Sequence, residues 1–460
     1  MKGRKALVLG AGRSGIASAR FLAERGAKVV LHDRKEVEAW AEPARSLKES
    51  HNVGLIAGEI PSWLLDQIEL VVISPGVPSN TVPARYIERK EGEVIGEVEL
   101  AYRFIKGRIV GITGSNGKTT TTTLIGELLI NAGIPTLVGG NIGTPLLSLV
   151  EETNEDSWSV VELSSFQLET IKDFHPNVAV CLNVTPNHLD RYDSFVDYAA
   201  AKHRIFMNQT ENDVAILNDD DEITASWAAG LCAKVTRFSL THELASGLFL
   251  RGRDLVCRNN GSERILTTRD KIVLPGLHNV ENVLAALAAG LACGADPESM
   301  RRTIAGFTGV EHRLEFVGSI DGIDFFNDSK ATSVDATVKA LQAMSERLGK
   351  TILILGGKGK NAPYEPLRTL IEQCVRALVV IGEDAVNIGE QLAGSVEIVH
   401  EATLERAVVR SFELATVGDA VLLAPACASF DMFSSFEERG RVFKGSVRNL
   451  AAVKGVGTSS

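Results

Sequence analysis

The stretch RIVGITGSNGKTTTTTLIGELLINAG, residues 108–133, constrains the fold more than any other. An apolar run meets a Gly-rich turn, and the turn opens directly into a helical pattern. A strand that feeds a helix in this way belongs to a parallel sheet with right-handed crossovers. The turn, Gly114-Ser115-Asn116-Gly117-Lys118-Thr119, lies at the positive end of that helix. Successive backbone N–H groups there can surround phosphate oxygens. Lys118 can neutralise β/γ-phosphate charge, and the Thr119 hydroxyl can ligate Mg2+. The strict pattern asks for glycine at 112, where this chain has Ile112, so the loop is a variant. A glycine turn that serves packing alone is the competing explanation, and the flanking strand and helix weigh against it.

The same alternation starts twice more. Near the N-terminus KALVLG, KVVLHD and ELVVISPG are strand candidates, and IASARFLAERG is a helix closing at Gly26. Their apolar runs lack a clean period of two, as expected of strands covered on both faces. After the central loop come SVVELS, VAVCLN and AILN. A polar stretch over 220–272 follows, in which FLRGRDLVC and SERILTTR look like short antiparallel strands. HNVENVLAALAAGLACG is then a helix with small residues for close packing. The third start lies near residues 309–316. GIDFFNDS is a strand and turn, SVDATVKALQAMSE is a helix that Ser333 can cap, and TILILGG, ALVVIG, VEIVH and AVLLAPA are buried strands. The chain reads as three α/β domains, 1–105, 106–308 and 309–460. Its 460 residues suffice for three cores, and 42 glycines suit many tight turns.

Open α/β sheets bind ligands where their strands end, and each start carries candidate groups there. Gly10-x-Gly12-x-x-Gly15 follows the first strand, with Asp33 at the end of the next. By pattern this is a dinucleotide fingerprint, although such glycines also serve packing and no companion motif for redox chemistry is present. In the centre, Glu162 and Ser164-Ser165 close a buried strand, and a carboxylate there could hold Mg2+ opposite Thr119. His188 is a candidate ligand or acid/base group, against the plainer role of a solvent-facing loop histidine. Lys202 and His203 ride the next helix, where an isolated lysine is ordinarily a surface charge. Near the C-terminus Asn327-Asp328-Ser329-Lys330, Gly356-Gly357-Lys358-Gly359-Lys360 and Pro425-Ala426-Cys427-Ala428-Ser429-Phe430-Asp431 follow three strands and suggest one crevice. Lys330 and Lys358 suit an anionic ligand. Cys427 has no neighbouring histidine to activate it and reads as a packed thiol.

Composition narrows the partners. A net charge of −10 argues against nucleic acid as the main partner. The six cysteines are scattered without a CxxC pair and read as buried free thiols in a reducing compartment. The longest apolar helical stretch, 283–293, is too short to span a bilayer. The apolar run 6–9 reads as a first strand, not a signal peptide. A cytoplasmic enzyme is expected.

Several motifs together carry a more specific message: ITGSNGKTT, GGNIG, ELSSFQLE, NVTPNHLDRY, AAKHRIF, GLHNVENVLAA, EHRLE, NDSKATS and PACASFDMFSSFEERG. Over essentially its whole length the chain resembles the Mur ligase family, and within it the branch that adds D-glutamate to UDP-N-acetylmuramoyl-L-alanine. The resemblance implies three α/β domains: an N-terminal Rossmann-like domain, a central P-loop-like ATP-binding domain and a C-terminal Rossmann-like domain. It implies that Gly114, Ser115, Asn116, Gly117, Lys118, Thr119 and Thr120 hold ATP phosphates, with Asn279 and Asn282 near the adenine. His312, Arg313 and Asp328 would make nucleotide or hinge contacts. Two Mg2+ ions would be bound through Thr119, Glu162, His188 and Lys202, the lysine as a carbamate, with Lys118, His188 and Lys202 forming the catalytic set. Gly12, Arg13 and Ser14 would face the diphosphate of the UDP handle, Asp33 and Arg34 the uracil, and Asn141 the muramoyl group. Lys330, Lys358, Ser429, Phe430 and Phe436 would line the D-glutamate pocket. A DNPR signature, expected of the diaminopimelate-adding branch, is absent from the sequence. The implied chemistry is an acyl phosphate formed from ATP and captured by an amine, carried out by a monomer. The alternatives are another ligase of the family, a folylpolyglutamate synthetase-like ligase, or a dinucleotide-binding oxidoreductase or regulatory module.

Overall fold

The computed structural model describes residues 1–78, 81–82, 92–185, 191–259, 261–345, 347–359 and 363–454. Met1–Thr268 with Glu281–Thr303 forms one structural unit, and Arg269–Val280 with Ile304–Ser460 forms a second.

The first unit holds two sheets. In the first sheet, β1 (Lys5–Leu9), β2 (Lys28–Asp33), β3 (Gly54–Ala57), β4 (Leu70–Ile73) and β5 (Glu93–Gly96) lie in the order β3-β2-β1-β4-β5. All of these pairings are parallel. Ala6, Leu7 and Val8 are fully buried, as the unbroken apolar run predicts. The order runs outward in both directions from β1, so the loop after β1 sits at a topological switch point. Helix α1 (Arg13–Glu24) leaves that loop with Gly12 as its N-cap. Gly15 lets the helix approach the strand, because a Cβ there would fall 1.8 Å from the Gly10 carbonyl oxygen.

The second sheet has nine strands. They are β6 (Arg108–Thr113), β7 (Thr136–Gly140), β8 (Trp158–Glu162), β9 (Val178–Cys181), β10 (Val214–Asn218), β11 (Lys234–Ser239), β12 (Gly247–Arg251), β13 (Asp254–Asn259) and β14 (Ser262–Thr268). Their order is β14-β13-β12-β11-β10-β9-β6-β8-β7. The β12–β13–β14 end is antiparallel, as the sequence indicated. Strand β6 lies between β8 and β9, so the Gly-rich loop also stands at a switch point, and α2 (Lys118–Asn131) follows it. Four cysteines are buried as expected, but Cys232 is exposed and Cys257 half-buried. Cys257 lies on β13, in the antiparallel extension, which is less covered than the central strands.

A buried carboxylate ties the first sheet's final segment to the second sheet's loops. The Glu99 side chain accepts hydrogen bonds from the backbone N–H groups of Lys172, Asp173 and Phe174 at 2.8–3.2 Å. Arg103 donates to Glu93 at 2.7 and 3.1 Å, and Arg4 adds a third bond at 3.0 Å. The Arg103 guanidinium, helped by Arg4 against partial burial, holds the Glu93 carboxyl down to about 2 from 4.5. A depressed carboxyl stabilises the fold above the unfolded value, and that contribution disappears as pH falls from 4.5 to about 2. Solvent screening of this partly wetted pair limits it to about 1 kcal/mol. Glu93→Gln should therefore flatten the acid limb of the stability–pH curve in that window, measured by denaturant titration at several pH values. An unchanged limb would show that the pair contributes nothing.

The second unit holds one sheet. It contains β15 (Glu315–Ile320), β16 (Ile323–Asn327), β17 (Thr351–Gly356), β18 (Val375–Ile381), β19 (Glu397–His400) and β20 (Ala420–Leu423), ordered β15-β16-β20-β17-β18-β19. Only the β15–β16 pair is antiparallel. Ser333 caps helix α3 (Val334–Met344), its side chain accepting from the Ala336 N–H. The long helix α4 (Phe436–Lys454) closes the described chain.

Candidate active site

The central loop is built by the backbone. Gly117 has φ +81°, and a Cβ there would lie 2.2 Å from Asn282 Oδ1, so glycine is required twice over. Lys118 Nζ donates to the carbonyls of Gly114 and Ser115 at 2.9 and 3.0 Å. Thr119 and Thr120 are buried at the start of α2. Thr121 Oγ1 donates to Asn282 Oδ1 at 3.2 Å, which places Asn282 against the same helix.

A second layer holds the loop in place. The Ser115 N–H donates to the Asn183 carbonyl, and the Asn116 N–H to Asn183 Oδ1, each at 2.9 Å. Ser115 Oγ donates to the Thr185 carbonyl and accepts from the Thr185 N–H, both at 3.0 Å. The Tyr198 hydroxyl lies 3.0 Å from the same oxygen. Sequence reasoning missed Tyr198. Its only signal is its spacing of four from Lys202 on the helix Phe195–His203.

Lys202 is not a surface charge. Its side chain is 1% exposed, donates to the Gly114 carbonyl at 2.8 Å and lies 4.6 Å from the Tyr198 ring centroid. Tyr198, Ala201 and Lys202 are the buried residues of this helix, so its inward face carries the lysine to the loop. Burial, reinforced by repulsion from Lys118, brings its ammonium down to about 7. Among the described residues no carboxylate pairs with it.

Glu162 ends β8 beside the loop. Its Oε1 accepts from Asn141 Nδ2 at 2.9 Å, and its backbone carbonyl accepts from the Asn141 N–H at the same distance. Its Oε2 is buried and has no hydrogen-bond partner among the described residues. An orphaned buried carboxylate oxygen suits a hard cation. No group of three His, Cys, Asp or Glu side chains among the described residues could hold a metal. The expected set draws instead on a hydroxyl, one carboxylate, a modified lysine and His188, which lies outside the described residues.

On the first sheet the Asp33 carboxylate turns toward the Gly-rich loop, accepting from the Ala11 N–H at 2.9 Å and the Lys35 N–H at 3.1 Å. Burial raises its pKa, but these bonds outweigh it and hold the carboxyl below its usual range. Gly12, Arg13 and Arg34 are exposed beside it, and Ser14 is half-buried.

In the second unit the three expected loops meet. Arg439, 1% exposed, donates through Nε to Ser329 Oγ at 3.0 Å, through Nη2 to the Ser329 carbonyl at 2.9 Å and to the Cys427 carbonyl at 3.2 Å. Lys358 pairs with Ala428 in both backbone directions, at 2.9 and 3.1 Å. Ser329 Oγ donates to the Phe436 carbonyl at 2.8 Å, and the Phe436 ring meets His312 edge to face. Ser429 is buried, while Lys330, Lys358 and Phe430 are exposed. Burial pushes the Asp328 carboxyl up to about 6, against the Leu314 N–H bond and the charges of Arg313 and Lys330. Asn279 is buried, with Nδ2 donating to the Pro275 carbonyl at 2.7 Å. His312 and Leu314 adopt φ +65° and +40° in the EHRLE turn, backbone strain of the kind that gathers at functional sites. Lys360 lies outside the described residues.

Parallel sheets with anion-ready turns at their switch points, one of them P-loop-like, define a nucleotide-dependent α/β protein. Three family models match in succession: the Mur ligase MurD-like N-terminal domain over 4–96, the Mur ligase middle domain over 112–290 and the Mur ligase glutamate ligase domain over 312–427. The chain belongs to the Mur ligase family, and its fold is three α/β domains. It is 48% identical over 452 residues to UDP-N-acetylmuramoylalanine--D-glutamate ligase of Koribacter versatilis, covering 98% of each chain. It is 45% identical to the enzyme of the same name from Pelotomaculum thermopropionicum, covering 97% of this chain and 98% of that one. Among solved structures it is similar in fold to UDP-N-acetylmuramate-alanine ligase of Thermotoga maritima, with TM-score 0.57, 18% identity, and 97% and 99% of the two chains covered.

Proposed function

We propose that the chain is an ATP-dependent amide ligase that adds D-glutamate to UDP-N-acetylmuramoyl-L-alanine, forming ADP and phosphate, in peptidoglycan precursor synthesis. Full-length identity of 48% to a ligase of that name carries the reading. We assign the domains to 1–105, 106–308 and 309–460. Gly12, Arg13, Ser14, Asp33 and Arg34 receive the UDP handle, and Asn141 the muramoyl group. Gly114 to Thr120 cradle the ATP phosphates, with Asn279, Asn282, Arg313 and Asp328 contacting the nucleotide. Lys330, Lys358, Ser429, Phe430 and Phe436 receive D-glutamate, whose second carboxylate needs polar partners once it leaves water. Thr119, Glu162, His188 and Lys202 would hold two Mg2+ ions, which screen the repulsion between ATP and the substrate carboxylate. The buried amine of Lys202, which no carboxylate meets among the described residues, suits conversion to a carbamate, which would exchange a cation for an anionic ligand.

The chain's own residues set the geometry of transfer. Lys118 balances charge on the transferring phosphoryl group, and the backbone of the loop orients it. The substrate carboxylate takes the γ-phosphoryl group to form an acyl phosphate, with ADP leaving. The amine of D-glutamate then attacks the acyl carbon, loses a proton and expels phosphate. No described helix is long and apolar enough to cross a membrane. A cytoplasmic location and a monomeric state complete the proposal. Phosphate release should require ATP, Mg2+, UDP-N-acetylmuramoyl-L-alanine and D-glutamate together, with a product mass gain of one glutamyl residue. Equal turnover with L-glutamate, or turnover only with diaminopimelate, would defeat the named specificity. Tight NAD binding without UDP-sugar binding would overturn the assignment of the first sheet.

A further inference from the structure

We infer that Tyr364 and Asp384 form a strut beneath the 357–359 turn and are positioning residues for the incoming amino acid. The inference rests on the proposed placement of Lys358 and Ser429 in the D-glutamate pocket. The three ends of the strut come from three neighbouring strands. Tyr364 follows β17, Asp384 follows β18, and Cys427 follows β20. Tyr364 is 2% exposed. Its hydroxyl donates to Asp384 Oδ2 at 2.5 Å and lies 3.0 Å from Cys427 Sγ. A hydroxyl bonded to a carboxylate is among the stronger hydrogen bonds. A core that needed only an aromatic ring would be filled as well by phenylalanine, so the hydroxyl has a separate task.

Asp384 passes that restraint to the turn. Its backbone N–H donates to the Gly357 carbonyl at 3.0 Å. Its carboxylate accepts from Asn387 Nδ2 at 3.2 and 3.3 Å. It also crowds Gly359, where a Cβ would lie 2.3 Å from Oδ2. The Gly357 N–H donates to the Ile381 carbonyl at 3.1 Å. The turn at Lys358 is thus held on one side by Asp384, which bonds the Gly357 carbonyl and packs closely against Gly359, and on the other by Ala428. Tyr364 joins the two grips, because Cys427 directly precedes Ala428. Asp431 also ties the loop after β20 to the loop after β18, its Oδ2 accepting from the Glu383 N–H at 2.9 Å. The strut sets where the Lys358 ammonium and the Ser429 hydroxyl start from, and a displacement of about 1 Å at such a site is costly.

The test compares Tyr364→Phe, Asp384→Asn and Asp384→Ala in the full-length chain, with separate KM values for D-glutamate, ATP and UDP-N-acetylmuramoyl-L-alanine. Tyr364→Phe should raise the D-glutamate KM about tenfold, with the other two KM values and the melting temperature near wild type. Asp384→Asn keeps an acceptor for the Tyr364 hydroxyl and should fall between wild type and Asp384→Ala. An unchanged D-glutamate KM, or three KM values rising together, overturns the strut. If Tyr364→Phe fails to fold, the Asn and Ala variants at 384 decide the same question. A wild-type chain that releases no phosphate with D-glutamate overturns the function itself, and the strut's role with it.

Discussion

Lys118→Ala should lower ligase turnover by a factor on the order of 10² or more, while the melting temperature stays within a few degrees of wild type. The two effects separate because the side chain is anchored to its own loop. Its ammonium donates to the Gly114 and Ser115 carbonyls, and both carbonyls belong to the turn that follows the interior strand β6, not to the apolar core. The backbone around it is fixed by other groups: Gly117 by its left-handed conformation, Ser115 and Asn116 by their bonds to Asn183. Removing the amine leaves that scaffold standing and deletes one aimed positive charge from the transferring phosphoryl group. Phosphate-release kinetics alongside a thermal melt will check both halves. Near-normal turnover would remove Lys118 from the mechanism.

Glu162→Gln should be nearly as damaging to activity, with no loss of stability. The substitution keeps the shape and the oxygen that accepts from Asn141, and it removes the negative charge behind a buried Oε2 that has no partner among the described residues. Leaving such a charge unpaired in the interior is unfavourable, so the melting temperature should hold or rise. Turnover should fall on the order of 10²-fold, with half-saturating Mg2+ moving upward. A variant that lost stability in step with activity would show that the carboxylate serves the fold. Unchanged Mg2+ titration curves would show that it does not hold the ion.

Much of this architecture is legible in the primary structure because the relevant signals are local. Strands buried on both faces announce themselves as unbroken apolar runs such as KALVLG, and the glycines at 114 and 117 mark a turn that other residues cannot adopt. The antiparallel strands within residues 247–268 show as short strands in a polar stretch, and Ser333 as a cap before a helical pattern. Lys202 was not legible from its residue type. One lysine on a nine-residue helix looks like a surface charge, and only the packing of that helix, which turns Tyr198 and Lys202 inward together, makes it part of the site. The anchoring of Ser115 by Thr185 and Tyr198, and of Ser329 by Arg439, joins residues far apart in sequence. No spacing rule reports contacts of that kind. The family resemblance supplied roles for Lys202 and Asn141, whereas the geometry supplies the reasons they stand where they do.

The Glu99 carboxylate, gathering three consecutive backbone N–H groups, carries a lesson about mutational freedom. Every residue but proline brings the same N–H, so Lys172 and Asp173, both exposed, give Glu99 their backbone donors whatever their side chains, which add only 3.9 Å ion pairs to Glu93 and Arg103. Those two sites can drift through almost any amino acid while the join between the sheets persists. The join depends most on position 99, where a single substitution would strand three donors at once.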